Sequence, residues 1–398
     1  MSLSQAALLL LAACGGTRHS QLPVEGDAII FQRVLDGKLS PADGLAQVAR
    51  AGGWPIATSK GYLFALADDG NGPFQISSPA GAFPAAMMHT EAGTAWALIP
   101  IASPQGASYL FATRSGATFA DPLSRNFKYD AATEVSLVAA QGAHLERYVG
   151  IGDANVSPRT LRVWVPAQAP TRFLYAHDGQ NLFGGYPRAW GGWFLQDAAG
   201  PATLIVGIDN SPARFAEYTP VTDFIDGRTQ GGDGAAYADF VAQTVRPFIE
   251  ARYGKPLRNG VIGSSLGGVI AYFQELRNPG SWDFAASLSG TMGWGSIASG
   301  VHEHTIIDQF RALAACPAAT FYLDSGGGPG SGCVDADGDG IRDDTPGSSD
   351  NYCENAQLLE VMQGIGCDVH YVWAQGAQHN EAAWRARAPA IVSLFESL

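Results

Sequence analysis

The sequence predicts an α/β chain, a mostly parallel central sheet covered by helices on both faces and preceded by a small β-sandwich. Three observations predict it. From residue 136 onward, short continuous apolar runs alternate with amphipathic stretches of helical period, the pattern of strands buried on both faces. From about 56 to 135 the texture is instead short alternating runs split by Gly, Pro and Ser, as in antiparallel sandwiches. Composition is the third: 398 residues, 46% hydrophobic and 15% charged, suffice for a large core, and 49 Gly with 23 Pro favour turns over a helical bundle. These figures exclude a disordered chain and a mini-protein dependent on disulfides. A net charge of −13 lacks the basic excess that tracks phosphates, so no nucleic-acid partner is expected.

In chain order, Ala6–Ala13 is an apolar run too short to span a bilayer and reads as the core of a signal peptide, 1–13. It ends in Leu11-Ala12-Ala13-Cys14 before two glycines, the lipobox pattern in which Cys14 is lipidated, although no Lys or Arg precedes Arg18. Residues 14–26 are then a tether. The expectation is an exported protein, lipid-anchored to the bacterial cell envelope or secreted, that touches membrane only through that anchor. Residues 27–54 carry helical spacing (Ile29, Ile30, Val34, Leu35, then Leu45, Val48) interrupted at Ser40-Pro41. Tyr62–Leu66, Ala95–Pro100 and Ser108–Thr113 are the clearest strands of the sandwich, which closes a front section of 27–135. Its Pro73-Phe-Gln-Ile-Ser, Trp96-Ala-Leu-Ile-Pro and Ala120-Asp-Pro-Leu-Ser-Arg125 resemble the immunoglobulin-like domain that precedes the catalytic domain in enterochelin esterases and glycogen-acting enzymes. That resemblance implies a role in framing substrate, with glycan binding as the other reading.

In 136–398 the strands are Leu161–Val165, Phe173–Ala176, Leu204–Ile208, Gly260–Gly263, Phe284–Ser287, Thr320–Leu323 and Val369–Trp373. Helices are predicted at Ala235–Tyr253, Leu266–Arg277, Asn351–Gln363 and Asn380–Leu398. In such a sheet the chemistry lies at the carboxyl ends of the strands.

Gly263-Ser264-Ser265-Leu266-Gly267 lies between a strand and a helix, the context of a nucleophile elbow. Its glycines permit a sharp turn that lifts the Ser265 hydroxyl above the sheet, while the helix N-terminus and the Leu266 amide face charge developing on a carbonyl oxygen. A serine needs a base. His379 follows the last strand and precedes the terminal helix, and Ser before His is the α/β-hydrolase order. His177 also follows a strand but suits the shaping of the oxyanion loop, and His302 with His304 complete no metal site. The acid belongs after Thr320–Leu323 and before the helix near Asn351: Asp350 first, Asp324 as its alternative, then Asp344 or Glu354. Trp190, Trp193 and Phe194 are candidates for a substrate pocket or for core.

Asp335-Ala-Asp337-Gly-Asp339-Gly340-Ile341-Arg-Asp343-Asp344 holds five Asp and one Arg, a local charge of −4. Carboxylates of Asp335, Asp337 and Asp339 on alternate residues converge, Gly340 turns the chain, and the Ile341 carbonyl and Asp343 add ligands, so structural Ca²⁺ is expected. Pro346 replaces the closing Glu of an EF-hand, and the loop looks more like those of thrombospondin-type repeats. No cofactor is expected for catalysis. Export licenses disulfides. With Cys14 lipidated, four cysteines remain, and Cys316 and Cys367 each stand just before a strand, which favours Cys316–Cys367 and Cys333–Cys353 among three connectivities.

Four segments, His177-Asp-Gly-Gln-Asn-Leu-Phe183, Val206-Gly-Ile-Asp-Asn-Ser211 with Arg214 and Glu217-Tyr-Thr-Pro220, the Gly263–Gly267 elbow, and Gln378-His-Asn-Glu-Ala-Ala-Trp384, together resemble the putative esterase (esterase D-like) family of α/β hydrolases. The resemblance covers about 136–398. It implies an α/β-hydrolase fold, Ser265 and His379 in the roles above, and an oxyanion hole from the Leu266 amide and an amide near Gly179 and Gln180. The function expected is serine carboxylic-ester hydrolysis through a Ser-His-Asp triad and an acyl-enzyme, on a small-molecule or polysaccharide ester, siderophore or carbohydrate-linked esters among them. The alternatives are a catalytically inactive glycan-binding lipoprotein and an acyltransferase.

Overall fold

The computed structural model describes residues 22–130, 133–184, 192–345 and 348–398. The expected leader, Cys14, most of the tether and Trp190 lie outside the described residues. At the front, helices Ala28–Leu35 and Pro41–Arg50 form on either side of the Ser40-Pro41 break. Ser40 caps the second by accepting from the Asp43 amide at 3.1 Å, with Pro41 in the first turn, where its missing N–H costs nothing. Both helices bury Phe31, Val34, Leu45 and Val48 around Trp54 and Leu63.

Two sheets follow. Ile56–Thr58, Gly61–Ala67, Thr94–Ile99 and His89–Glu91 make one; Gln75–Ser77, Ala86–Met87, Ser108–Ala112 and Thr118–Phe119 belong to the other. They share a core of Phe64, Phe74, Ile76, Tyr109 and Phe111. The second sheet does not end there. Ser108–Ala112 pairs with Thr133–Leu137, which pairs with Asn126–Asp130, which pairs with the first strand of the α/β part, so that 14 strands form one continuous sheet. The boundary expected at 135/136 falls inside Thr133–Leu137. The texture of the sequence changes there because the covering layers change, while the hydrogen-bonded ladder runs on.

The α/β part contributes β1 (His144–Ile151), β2 (Arg159–Val165), β3 (Arg172–His177), β4 (Thr203–Ile208), β5 (Arg258–Ser264), β6 (Phe284–Leu288), β7 (Thr320–Ser325) and β8 (Asp368–Trp373). Their order is 8-7-6-5-3-4-2-1, with β3 to β8 parallel and β1 and β2 antiparallel. One face is covered by the stretch Gly234–Tyr253, which holds a π-turn at Val241–Val245, and by Leu266–Arg277, Ile306–Arg311 and Tyr352–Gly364. Across the other lies the terminal helix Glu381–Ser397, which buries Trp384, Ala388, Ile391 and Phe395 against β3, β5 and β6. The sequence reading lacks Ile306–Arg311 and the hairpin Thr222–Ile225 with Arg228–Gly231. The first of these was signalled by a capping box, Thr305 and Asp308, in which each side chain accepts from the other's amide.

Cys316–Cys367 joins the approaches to the adjacent strands β7 and β8, and Cys333–Cys353 closes the insertion after β7 onto the helix Tyr352–Gly364. At the front, Arg125 ties the helices to the sheet. Its buried guanidinium donates to the carbonyls of Ala49 at 2.9 Å, Ala51 at 3.0 Å, Gly52 at 3.3 Å and also Arg147, and it lies 3.9 Å over the Tyr148 ring. Arg125→Leu leaves those carbonyls without a donor, and we expect a loss of about 2–4 kcal/mol, read as a lower urea midpoint.

Candidate active site

Ser265 sits at φ 54° and ψ −126°, between β5 and the helix that opens at Leu266. Such a turn is strained for an L residue and survives only where its surroundings over-determine it. A Cβ on Gly263 would lie 2.2 Å from the Gly267 carbonyl oxygen, so the first glycine of the elbow admits no side chain. The Ser265 amide donates to the Leu288 carbonyl at 3.0 Å and the Ser265 carbonyl accepts from Thr291 at 3.3 Å, which pins the turn to the end of β6. Half-buried, Ser265 lines a cleft of about 280 Å³ with Ser264, Asn181, Trp193, Arg214, His379 and Trp384.

His379 precedes Asn380, whose side chain caps the terminal helix by accepting from the Ala383 amide at 3.0 Å. Trp384, one turn on, meets the imidazole edge to face at 5.0 Å. The His379 Nδ1 is 2.7 Å from Asp350 Oδ1. Asp350 is thus the carboxylate that the fold brings to the imidazole. It arrives there on a left-handed turn, φ 63° with Asn351 at 56°, and its side chain is wholly buried. Asp324 ends β7 nearby but faces Arg387, with Nε 2.9 Å from its Oδ2. Asp344 accepts from Ser348 and the Cys353 amide, and Glu354 from the Gly293 amide, so neither serves His379.

His177, at the end of β3, is buried between Tyr218 and Tyr237, with Nδ1 3.1 Å from the Tyr237 hydroxyl. Burial pushes its imidazole down to about 3, outweighing the attraction of Asp178. Asp178 itself accepts from Arg214 Nε and Nη2, both at 2.8 Å, and from Asn210 at 2.6 Å; although burial opposes ionisation, the guanidinium holds its carboxyl below the usual range. The next residue, Gly179, packs against β4, where a Cβ would come 2.5 Å from the Gly207 carbonyl carbon. Gln180 Oε1 accepts from the Asn210 amide at 3.1 Å. Among the described residues, none accepts from the backbone amides of Gln180 or Leu266.

Trp193 is buried 6.1 Å from Trp384, at once core and cleft wall, and Phe194 lies beneath the Arg385 guanidinium at 3.8 Å. In the acidic loop, carboxylate oxygens of Asp335, Asp337 and Asp343 lie within 4.8 Å of one another. The Asp339 oxygens are engaged by the Ile341 amide and the Ser296 hydroxyl, with His302 3.4 Å away, while the Ile341 side chain is core. Asp335 accepts from the amides of Gly338, Asp339 and Gly340. Sequence reasoning did not find Ser289 or Arg387, and it named Arg214 and Asn210 in a family-like segment without giving them a role. For Arg387 a signal existed, a charge on the face that carries Trp384, Ala388, Ile391 and Phe395.

Residues 156–395 match the family model described as "Putative esterase". Over 141 residues the chain is 30% identical to YbbA, an uncharacterized protein of Bacillus subtilis (strain 168). That stretch is 32% of this chain and 53% of YbbA, so the chain spans about half the length of this curated relative. Among solved structures, the enterobactin esterase FES from Shigella flexneri is 15% identical, with a TM-score of 0.48 over 84% of this chain and 93% of that one. Siderophore hydrolase EstB from Aspergillus nidulans is 18% identical, with a TM-score of 0.44 over 63% and 94%.

Because the native state protonates His177 only near pH 3 while the unfolded chain does so from about 6.5, stability falls as pH drops between those values. From pH 7.5 to 5.5 this amounts to about 1.4 kcal/mol, which should appear as the difference between the pH dependences of wild type and His177→Gln in urea unfolding.

Proposed function

We propose a function from one premise: the chain belongs to the esterase family matched by residues 156–395. It is a serine carboxylic-ester hydrolase. What supports the assignment of roles is one observation above all, the 2.7 Å contact from His379 Nδ1 to Asp350 Oδ1 beside a serine held on a strained elbow. His379 Nε2 takes the Ser265 proton as Oγ attacks the ester carbonyl carbon. The tetrahedral oxyanion is held by the Leu266 amide, at a helix N-terminus, and by the Gln180 amide. Collapse expels the alcohol, protonated by His379. Water, deprotonated by the same imidazole, then attacks the acyl-enzyme and releases the acid. Asp350 keeps the imidazole oriented and offsets its charge. Siderophore and carbohydrate-linked esters are the substrate classes we put first.

Two disulfides support an oxidising compartment, and Cys14 is the proposed lipid attachment point. No helix among the described residues is long and apolar enough to cross a membrane. In the insertion, convergence of Asp335, Asp337 and Asp343 supports a structural Ca²⁺ site. Its role is to stiffen the loop that leads to Asp350, with no part in the chemistry.

In a pure sample Ser265→Ala should lower p-nitrophenyl acetate hydrolysis by about 10⁴-fold or more, and a fluorophosphonate should label wild type at Ser265. Unlabelled wild type without hydrolysis would favour the inactive binder, and ester formation exceeding hydrolysis would favour the acyltransferase. Parallel assays on a feruloyl ester, acetylated xylan and a trilactone rank the substrates. For the metal, Ca²⁺ at a hundredfold excess over Kd should stabilise the fold by about 2.7 kcal/mol and so raise Tm, EDTA should reverse the rise, and Asp337→Asn should abolish the response. An unchanged Tm in EDTA removes the ion from the account.

A further inference from the structure

Behind Asp350 lies a buried polar chain with a direction. Ser289 Oγ is 2.6 Å from Asp350 Oδ2, and it receives Arg387 Nη2 at 2.8 Å and Trp384 Nε1 at 3.3 Å. A guanidinium and an indole N–H only donate. Ser289 Oγ must therefore accept from both, and the acceptor left for its single proton is Asp350 Oδ2. The Gly326 amide donates to that same oxygen. With Oδ2 occupied by two donors, Oδ1 is the atom left to accept from His379 Nδ1.

Arg387 is fixed in turn by Asp324. The side chains of Asp324 and Asp350 are both fully buried, and the Ser289 amide donates to Asp324 Oδ1 at 3.0 Å while its hydroxyl reaches Asp350. Two carboxylates sharing one serine in a low dielectric repel each other. Burial indeed lifts the Asp324 carboxyl to about 6 although Arg387 beside it pulls the other way. Around this pair the Tyr322 hydroxyl faces Asp324 from β7 at 3.0 Å, His379 faces Asp350 from the last loop, and Arg387 supplies the buried guanidinium from the terminal helix.

We propose that Arg387 and Ser289 are positioning residues that set the proton arrangement of the site, holding Asp350 as an acceptor and His379 as the Nδ1–H tautomer with its Nε2 lone pair free for Ser265. The inference rests on the roles assigned above to Ser265, His379 and Asp350. Asp324, the rival triad acid in the sequence, acts in it as the counter-charge that keeps Arg387 in place.

The test uses the full chain with ¹⁵N-labelled histidine at pH 8, the His379 resonances being assigned by their loss in His379→Gln. Wild type should show the Nδ1–H tautomer. Ser289→Ala and Arg387→Met should both yield a tautomer mixture and lower kcat about 10- to 100-fold, with KM within about 2-fold. Arg387→Lys, which keeps the charge, should recover part of kcat. Because Arg387→Met strands a buried carboxylate at a cost to folding, Asp324→Asn/Arg387→Met removes both charges together, and it too should lose the tautomer preference. Wild-type tautomer and kcat in folded Ser289→Ala or in the double variant overturn the proposal. The imidazole signal needs no turnover. A tautomer governed by Arg387 in a protein that hydrolyses no ester would therefore refute the esterase reading alone, and an unmoved tautomer in an active esterase would refute this inference alone.

Discussion

Ser265 at φ 54°, ψ −126° is the constraint to which the catalytic half of the molecule is built. A residue held there costs of order 1–3 kcal/mol, and the surroundings must supply it. β5 and its helix meet at an angle that leaves no room for a Cβ on Gly263 beside the Gly267 carbonyl, and the Leu288 carbonyl receives the Ser265 amide, so β6 must end where it does. Ser289, immediately after, also turns left-handed, at φ 48°. The ends of β5 and β6 are thus two consecutive strained corners, one presenting the serine and the other the hydroxyl that supports the acid. A strained corner positions a side chain more narrowly than a flexible loop does, and acyl transfer rewards that precision.

The acid shows why tertiary context had to decide. The sequence offers Asp350 first, after a long insertion and just before a helix, and Asp324, at a strand end, as its alternative. The fold brings Asp350 to the imidazole because the insertion folds back, held by Cys333–Cys353, by its pairing of Gly328–Pro329 with Ser348–Ser349, and by the Asp350 contact with the Gly326 amide. Asp324 is instead paired with Arg387 and accepts from the Ser289 amide and the Tyr322 hydroxyl. A linear sequence carries no term for a counter-charge delivered 63 residues later by the opposite layer of the sandwich of helices and sheet.

The front section makes a similar point about boundaries. Its helices and strands were legible because amphipathic and alternating periods are local properties, written in Val34, Leu45 and Val48 or in Tyr62–Leu66. The continuity of its sheet with β1, through Phe127 opposite Leu145, depends on pairing between strands whose order no local pattern encodes. The front section is accordingly built into the same sheet as the elbow rather than hung beside it, and Arg125 and Arg147 bind the seam.

What the amino-acid sequence determined by itself was whatever depends on period and on steric permission. Buried parallel strands announce themselves as apolar runs, and a glycine-flanked serine between strand and helix announces a turn that other residues cannot make. A histidine between the last strand and a capped helix likewise declares its place at the sheet's carboxyl edge. The tertiary structure alone decided which carboxylate faces His379, that His177 is locked away among Tyr218 and Tyr237, and that Ser289 and Arg387 stand behind Asp350. The reason is physical. A buried charge is tolerated only where its partners converge, and convergence across β6, β7, the insertion and the terminal helix is a property of how the layers pack rather than of any segment read alone.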